Sequence, residues 1–141
     1  ITVDCGISAI EEVNYANSLG IEVIVTDHHE PGEELPKALA VIDNKRKDSK
    51  YLFRELAGVG VAFKVSQALA QSMNVKEEEY LKYLDIVCVG TISDIVPLIS
   101  ENRVITKLGI LTSAKMGGMM VKIKCVLRNY MRPFDWFVER V

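Results

Sequence analysis

The chain has 141 residues, 49% of them hydrophobic and 26% charged, with a formal net charge of −2. This is one domain's worth of protein with enough apolar surface for a real core, so disorder is excluded as the default state. A balance so near neutral gives no global steering towards nucleic acid. No apolar run approaches the roughly 18 residues that a membrane span needs.

Ile1-Thr2-Val3 has none of the basic and apolar pattern of a secretory leader. The chain opens directly on a strand-like run, and we expect a piece of a longer protein. Cys5, Cys88 and Cys125 are odd in number, widely spaced and free of any C-x-x-C pattern. Three such thiols form no complete disulfide framework and point to a reducing, cytoplasmic compartment. Cys88 lies in an apolar stretch and reads as a core residue.

In chain order, β-branched Ile1-Thr2-Val3 predicts a strand that stops at Asp4. Ser8 with Glu11 has capping-box spacing, and Ile10, Val13, Ala16 and Leu19 predict one helical face ending at Gly20. Ile21 to Val25 predicts a second strand, which runs into Thr26-Asp27-His28-His29. Strand, helix, strand is a βαβ unit, so the fold class is α/β, a parallel β-sheet flanked by helices. Pro31, Gly32 and Pro36 mark a loop. Leu39 to Ile42 predicts a third strand, and the polar Asp43 to Lys50 segment a loop. Helices are predicted over Gly60–Met73, Lys76–Val89 and about Glu101–Leu111. The second of these has an acidic first turn that suits the helix dipole, with Leu81, Leu84, Val87 and Cys88 on a shared face.

Charge is uneven. Residues 1–113 carry 11 basic and 17 acidic side chains, and residues 114–141 carry 6 and 2. The basic, Met-rich tail reads either as a terminal helix with a loose end or as a nucleic-acid contact.

Three segments concentrate the chemistry: Val3-Asp4-Cys5-Gly6, Thr26-Asp27-His28-His29, and Gly90 to Leu98 with Asp94. Ligands of parallel sheets collect outside the carboxyl ends of the strands, where Asp4 and the Asp27–His29 group both fall. Neighbouring strands are about 4.8 Å apart, so a carboxylate on one and an imidazole on the next can share a metal ion. Imidazole favours Mn²⁺, Zn²⁺ or Fe²⁺ over Mg²⁺. Two ions roughly 3.5–4 Å apart activate water and offset charge on a phosphate. Asp27 would fix the tautomer of a histidine. Each piece alone has a plainer reading: Asp4 as a turn residue, the histidines as a surface loop, Asp94 as a helix cap. Asp85 reads as a paired structural residue. Lys45, Arg46, Lys47, Lys50 and Arg54 surround Tyr51 and Phe53. This is the pattern by which single strands are held, or a solvated loop anchored by two rings. Gly58-Val59-Gly60 either offers backbone N–H groups to a phosphate or permits close helix packing.

These segments resemble the motifs of the DHH phosphoesterase superfamily. Ile1 to Ser8 resembles its second motif, Thr26 to Pro31 its third, and Val89 to Leu98 with Glu101-Asn102-Arg103 its fourth. Asn44 to Lys47 and Leu56 to Lys64 look like its branch of single-strand-specific 5′→3′ exonucleases of bacterial repair. The resemblance covers about residues 1–111, a partial catalytic domain, and leaves 112–141 as a divergent tail. It implies metal ligands at Asp4, His28 and Asp94, with Asp4 bridging two Mn²⁺ or Mg²⁺ ions. It also implies catalytic roles for Asp27, which orients His28, and for His29, which faces the scissile phosphate. Single-stranded DNA would be the substrate, gripped by Lys45, Arg46, Lys47, Tyr51 and Phe53, and a single-strand-binding protein a partner. The family's first motif would lie before Ile1, its second domain has no room here, and Asn44 lacks the Pro that usually follows. The isolated chain is therefore expected to bind metal weakly and to hydrolyse little. An open parallel edge predicts a homodimer. Competing readings are a relative acting on pyrophosphate, oligoribonucleotides or cyclic dinucleotides, and a non-catalytic replication scaffold. A Rossmann-like binder is disfavoured by the lack of G-x-G-x-x-G after a strand.

Overall fold

The computed structural model describes residues 1–115. The predicted basic tail falls outside this range from residue 116 onwards. The elements are α1 (Ile10–Ser18), β1 (Ile24–Asp27), β2 (Ala40–Asp43), α2 (Gly58–Ser72), α3 (Glu77–Leu81), α4 (Leu84–Ser93) and α5 (Ser100–Lys115). The α/β class holds. β1 and β2 pair in parallel with Asp27 opposite Asp43, so two carboxylates end the sheet side by side. The expected first strand is not a regular strand. Its backbone still pairs with β1 in parallel fashion, Thr2 N–H to Ile24 C=O at 2.9 Å and Asp4 N–H to Thr26 C=O at 3.0 Å. The parallel pairing stops at Asp4, whose φ of 62 turns the chain, and Cys5 adds an isolated antiparallel bridge to Thr26.

The Ser8–Glu11 capping box does not form. Helix α1 starts at Ala9 with no side-chain cap, because Ile7 N–H is taken by the Asp27 carboxylate at 2.9 Å and Gly6, at φ 111, turns the chain just before it. The helix stops just before Gly20, as expected, with Leu19 as its C-cap. Gly20 N–H donates to Asn17 C=O and Ile21 N–H to Ala16 C=O, both at 3.0 Å. This is the paired bonding of a Schellman stop, which wants glycine at its left-handed position. Leu19 lies past the helix and is exposed, unlike the buried Val13.

Residues Lys76–Val89 are not one helix. Tyr83 N–H bonds to Tyr80 C=O and Ile86 N–H to Tyr83 C=O, three residues back in each case. This tighter winding separates α3 from α4. Leu84, Val87 and Cys88 are buried as predicted, and Leu81 is half-buried. The core packs Leu56, Val61, Phe63, Ala70, Tyr80, Leu84, Val87 and Ile105. Phe63 and Tyr80 meet edge to face with centroids 6.1 Å apart. Glycines let the helices close in. A Cβ at Gly90 would stand 2.7 Å from Val59, and one at Gly109 would strike Cys88 and the Leu84 carbonyl. Cys88 is fully buried, as predicted, and burial pushes its thiol up to about 12. This packing sets the C-terminal end of α4, and with it Asp94, against the carboxyl end of β1.

Candidate metal centre

Asp27 organises the site. It is 1% exposed, and its Oδ2 accepts Ile7 N–H while Oδ1 accepts His28 N–H at 2.8 Å, His29 N–H at 3.3 Å and His29 Nδ1–H at 2.6 Å. One carboxylate thus fixes both the turn that carries Asp4 and the pair of histidines after β1. Burial alone would raise its pKa, but the hydrogen bonds from Ile7, His29 and His28 outweigh it and hold the group below 3.8. His29 moves the other way. Its hydrogen bond to Asp27 lifts it above 6.5 against some burial, and the charges of Asp27, Asp4 and Asp94 add to the lift.

These directions fix a pH window. The lowered Asp27 stabilises the fold above 3.8 and loses that contribution as pH falls through its native pKa. The raised His29 stabilises it below 6.5 and loses its contribution as pH rises through its native pKa. In the metal-free protein, the Asp27–His29 contribution to unfolding free energy is therefore greatest between pH 3.8 and 6.5. A histidine NMR titration checks this: the His29 midpoint lies above 6.5 and drops in Asp27→Asn. An unchanged midpoint in that variant contradicts the assignment.

His28 is buried and differently held. Its Nδ1 lies 3.1 Å from the Leu56 carbonyl, which can only accept, so Nδ1 carries the proton. Nε2 is then the ring nitrogen left to hold a proton or a cation. It sits 3.0 Å from Asp4 Oδ1 and 3.4 Å from Asp94 Oδ2, without hydrogen-bond geometry to either. One imidazole nitrogen and two carboxylate oxygens repel one another unless a proton or cation lies among them. The donor set suits Mn²⁺, Zn²⁺ or Fe²⁺. Ligand atoms of Asp4, His28 and His29 lie within 4.8 Å of one another, forming one such group among the described residues. Gly58 at the start of α2 makes this possible, because a Cβ there would fall on the Asp4 carboxylate, 2.7 Å from Asp4 Cβ. Asp4 itself stands in the left-handed region, a strained conformation that clusters at functional sites.

The sequence-predicted residues divide into two groups. Asp4, Asp27, His28, His29 and Asp94 come together. The loop residues have other partners. Lys45 pairs with Glu30 at 3.7 Å, and Arg46 with Asp48 and the Val41 carbonyl. Tyr51 OH donates to Glu101 at 2.7 Å, and Glu101 pairs with Lys64 at 2.5 Å. Phe53 packs against the core and Lys47 is exposed. Asp85 accepts Ile86 N–H at 2.7 Å in the first turn of α4. Lys50, Tyr51, Leu52 and Phe53 line a cavity of about 520 Å³ with Ser100 and Glu101. Asp43 escaped the sequence reading. It is buried beside Asp27, burial raises its pKa, and one of its oxygens has no hydrogen-bond partner. Its only sequence signal is the one Asp4 and Asp27 share, a carboxylate at a strand end.

The chain is similar to known proteins. The model of the DHH family, N-terminal domain, matches residues 1–91. The chain is 49% identical over 110 residues to the single-stranded-DNA-specific exonuclease RecJ of Bacillus subtilis, covering 78% of this chain and 13% of that protein. It is 40% identical over 136 residues to RecJ of Escherichia coli, covering 90% and 23%. A crystal structure of exonuclease RecJ bound to manganese superposes with a TM-score of 0.69 at 39% identity, over 78% of this chain and 27% of that one. RecJ of Thermus thermophilus in complex with Mn²⁺ gives 0.68 at 40% identity, over 78% and 16%. The chain therefore spans a minor part of each relative's length. With the family model covering most of its described residues, the chain belongs to the DHH family.

Proposed function

We propose that this chain carries the Asp4–His28–Asp94 part of a divalent-metal centre for hydrolysis of single-stranded DNA. The observation that carries the reading is His28 Nε2, a buried nitrogen that faces two carboxylates without a hydrogen bond to either. In this reading Asp4, His28 and Asp94 would together hold Mn²⁺ or Mg²⁺, two ions in the complete enzyme. When bound, the ions supply water activation and offset charge on the phosphate. Asp27 holds the turn that presents His28, and fixes the ring of His29 through its Nδ1–H. His29, whose pKa the hydrogen bond to Asp27 raises, would face the scissile phosphate. Residues 1–111 form the catalytic part, and the Lys45–Phe53 loop grips the strand through charge and stacking. A cytoplasmic location, a single-strand-binding protein as partner and a homodimer complete the reading. The cytoplasmic location rests on the thiol pattern. Among the described residues no helix is long and apolar enough to cross a membrane.

The test is a chimera in which this chain replaces the matching region of the Bacillus subtilis relative. It is expected to release mononucleotides from single-stranded DNA with Mn²⁺, and His28→Ala to cut the rate by about a thousandfold, the scale of a lost charge-stabilising group. The isolated chain is expected to show little hydrolysis. A folded chimera that binds Mn²⁺ but leaves single-stranded DNA intact overturns the substrate assignment, and cleavage of pyrophosphate or a cyclic dinucleotide instead would replace it.

A further inference from the structure

The metal reading leaves several buried polar groups without a task, and Asn102 is the one tied to segments on both sides of the site. Asn102, on the first turn of α5, is 0% exposed. Its Nδ2 donates to the Glu55 carbonyl at 2.5 Å and to the Pro97 carbonyl at 3.0 Å. Its Oδ1 is buried without a hydrogen-bond partner. The amide cannot be turned over, because its oxygen would then face two carbonyl oxygens. An acceptor left unpaired in a core lowers stability, so the side chain's value lies in what its two N–H groups hold.

Both of those carbonyls adjoin the metal centre. Glu55 immediately precedes Leu56, whose carbonyl takes the His28 Nδ1–H at 3.1 Å and thereby leaves Nε2 open. Pro97 lies three residues past Asp94, whose Oδ2 stands 3.4 Å from that Nε2. The connecting turn is strained, with Ile95 at φ 56 and Ser100 at φ 44. A β-branched residue in the left-handed region persists only where its surroundings hold it. We infer that Asn102 is a positioning residue that locks His28 and Asp94 into one geometry for a shared divalent cation. The inference rests on the metal reading for the cation, and on hydrogen bonds alone for the lock.

Three readouts on the full chain test it. The chain has two histidines, so ¹⁵N NMR resolves each ring. With the ring neutral, His28 of metal-free native protein carries its proton on Nδ1, and in Asn102→Leu the two tautomers mix. Mn²⁺ binding by calorimetry weakens at least tenfold in Asn102→Leu, yet stays within twofold of native in Ile105→Val, a core truncation on the same helix. In native protein, saturation with diamagnetic Mg²⁺ slows exchange of the Asn102 side-chain amide protons at least tenfold, since coupling is reciprocal. A native tautomer with Mn²⁺ affinity within twofold of native in Asn102→Leu overturns the inference, as does equal loosening in Ile105→Val. Should Asn102→Leu fail to fold, amide exchange unchanged by Mg²⁺ overturns it. A native protein that binds neither cation defeats the metal reading instead, and the tautomer then decides whether Asn102 sets the His28 ring.

Discussion

Replacing Gly58 with Ala is expected to lower the free energy of unfolding by about 1–3 kcal/mol, the usual cost of overpacking a filled site. It is also expected to weaken Mn²⁺ binding at least tenfold. Helix propensity alone argues the opposite sign, since Ala is favoured over Gly by up to about 1 kcal/mol within a helix. Sterics win because the added Cβ would occupy the space of the Asp4 carboxylate, and the chain there is buried. Asp4 must swing away from His28, and the site loses an oxygen ligand. Gly20→Ala is the control. A Cβ there meets nothing within 4 Å, so only the left-handed backbone is penalised, by roughly 1–2 kcal/mol, and metal affinity stays native. Urea titrations and Mn²⁺ calorimetry on the two variants separate these effects. Native-like metal affinity in Gly58→Ala would mean that Asp4 is not a ligand.

The second large effect has opposite signs with and without metal. Asp4→Asn keeps the shape of the side chain and tolerates the φ of 62, since Asn is among the residues that enter the left-handed region readily. Its amide can donate to His28 Nε2, 3.0 Å from the present Oδ1. Without metal the variant is expected to be more stable than native by about 0.5–1.5 kcal/mol, the net worth of one hydrogen bond. With Mn²⁺ at a hundred times its Kd, native protein gains about 2.7 kcal/mol while Asp4→Asn gains almost nothing. The order of stability therefore reverses on adding metal, as expected when a site is kept for function at some cost to the fold. Urea midpoints of both proteins, with and without Mn²⁺, give the answer. A variant less stable than native in both conditions would make Asp4 a structural residue.

Much of this was legible in the sequence, because strand ends, turn glycines and the Asp-His-His run are local signals. Cys88 in an apolar run and Gly20 after a helical pattern were also readable from neighbours alone. The failures came where a distant group overrode a local one. Ser8 and Glu11 have capping-box spacing, but Asp27, 20 residues from Ile7, holds the chain in another course. Tyr51 and Phe53, read as stacking rings, also make contacts that no local signal announces, Tyr51 with Glu101, 50 residues away, and Phe53 with the core. Asn102 stands in the segment that resembles the fourth motif, but its tie to Glu55, 47 residues distant, has no local signal. Asp43 gains meaning only through its register with Asp27.

Which side chain holds the cation decides the chemistry of the site. The most direct measurement is electron–nuclear double resonance on the Mn²⁺-loaded chain grown with ¹⁵N-histidine. A nitrogen coupling is predicted that vanishes in His28→Asn and persists in His29→Asn. No coupling in the native protein, or one that survives the loss of His28, would contradict it.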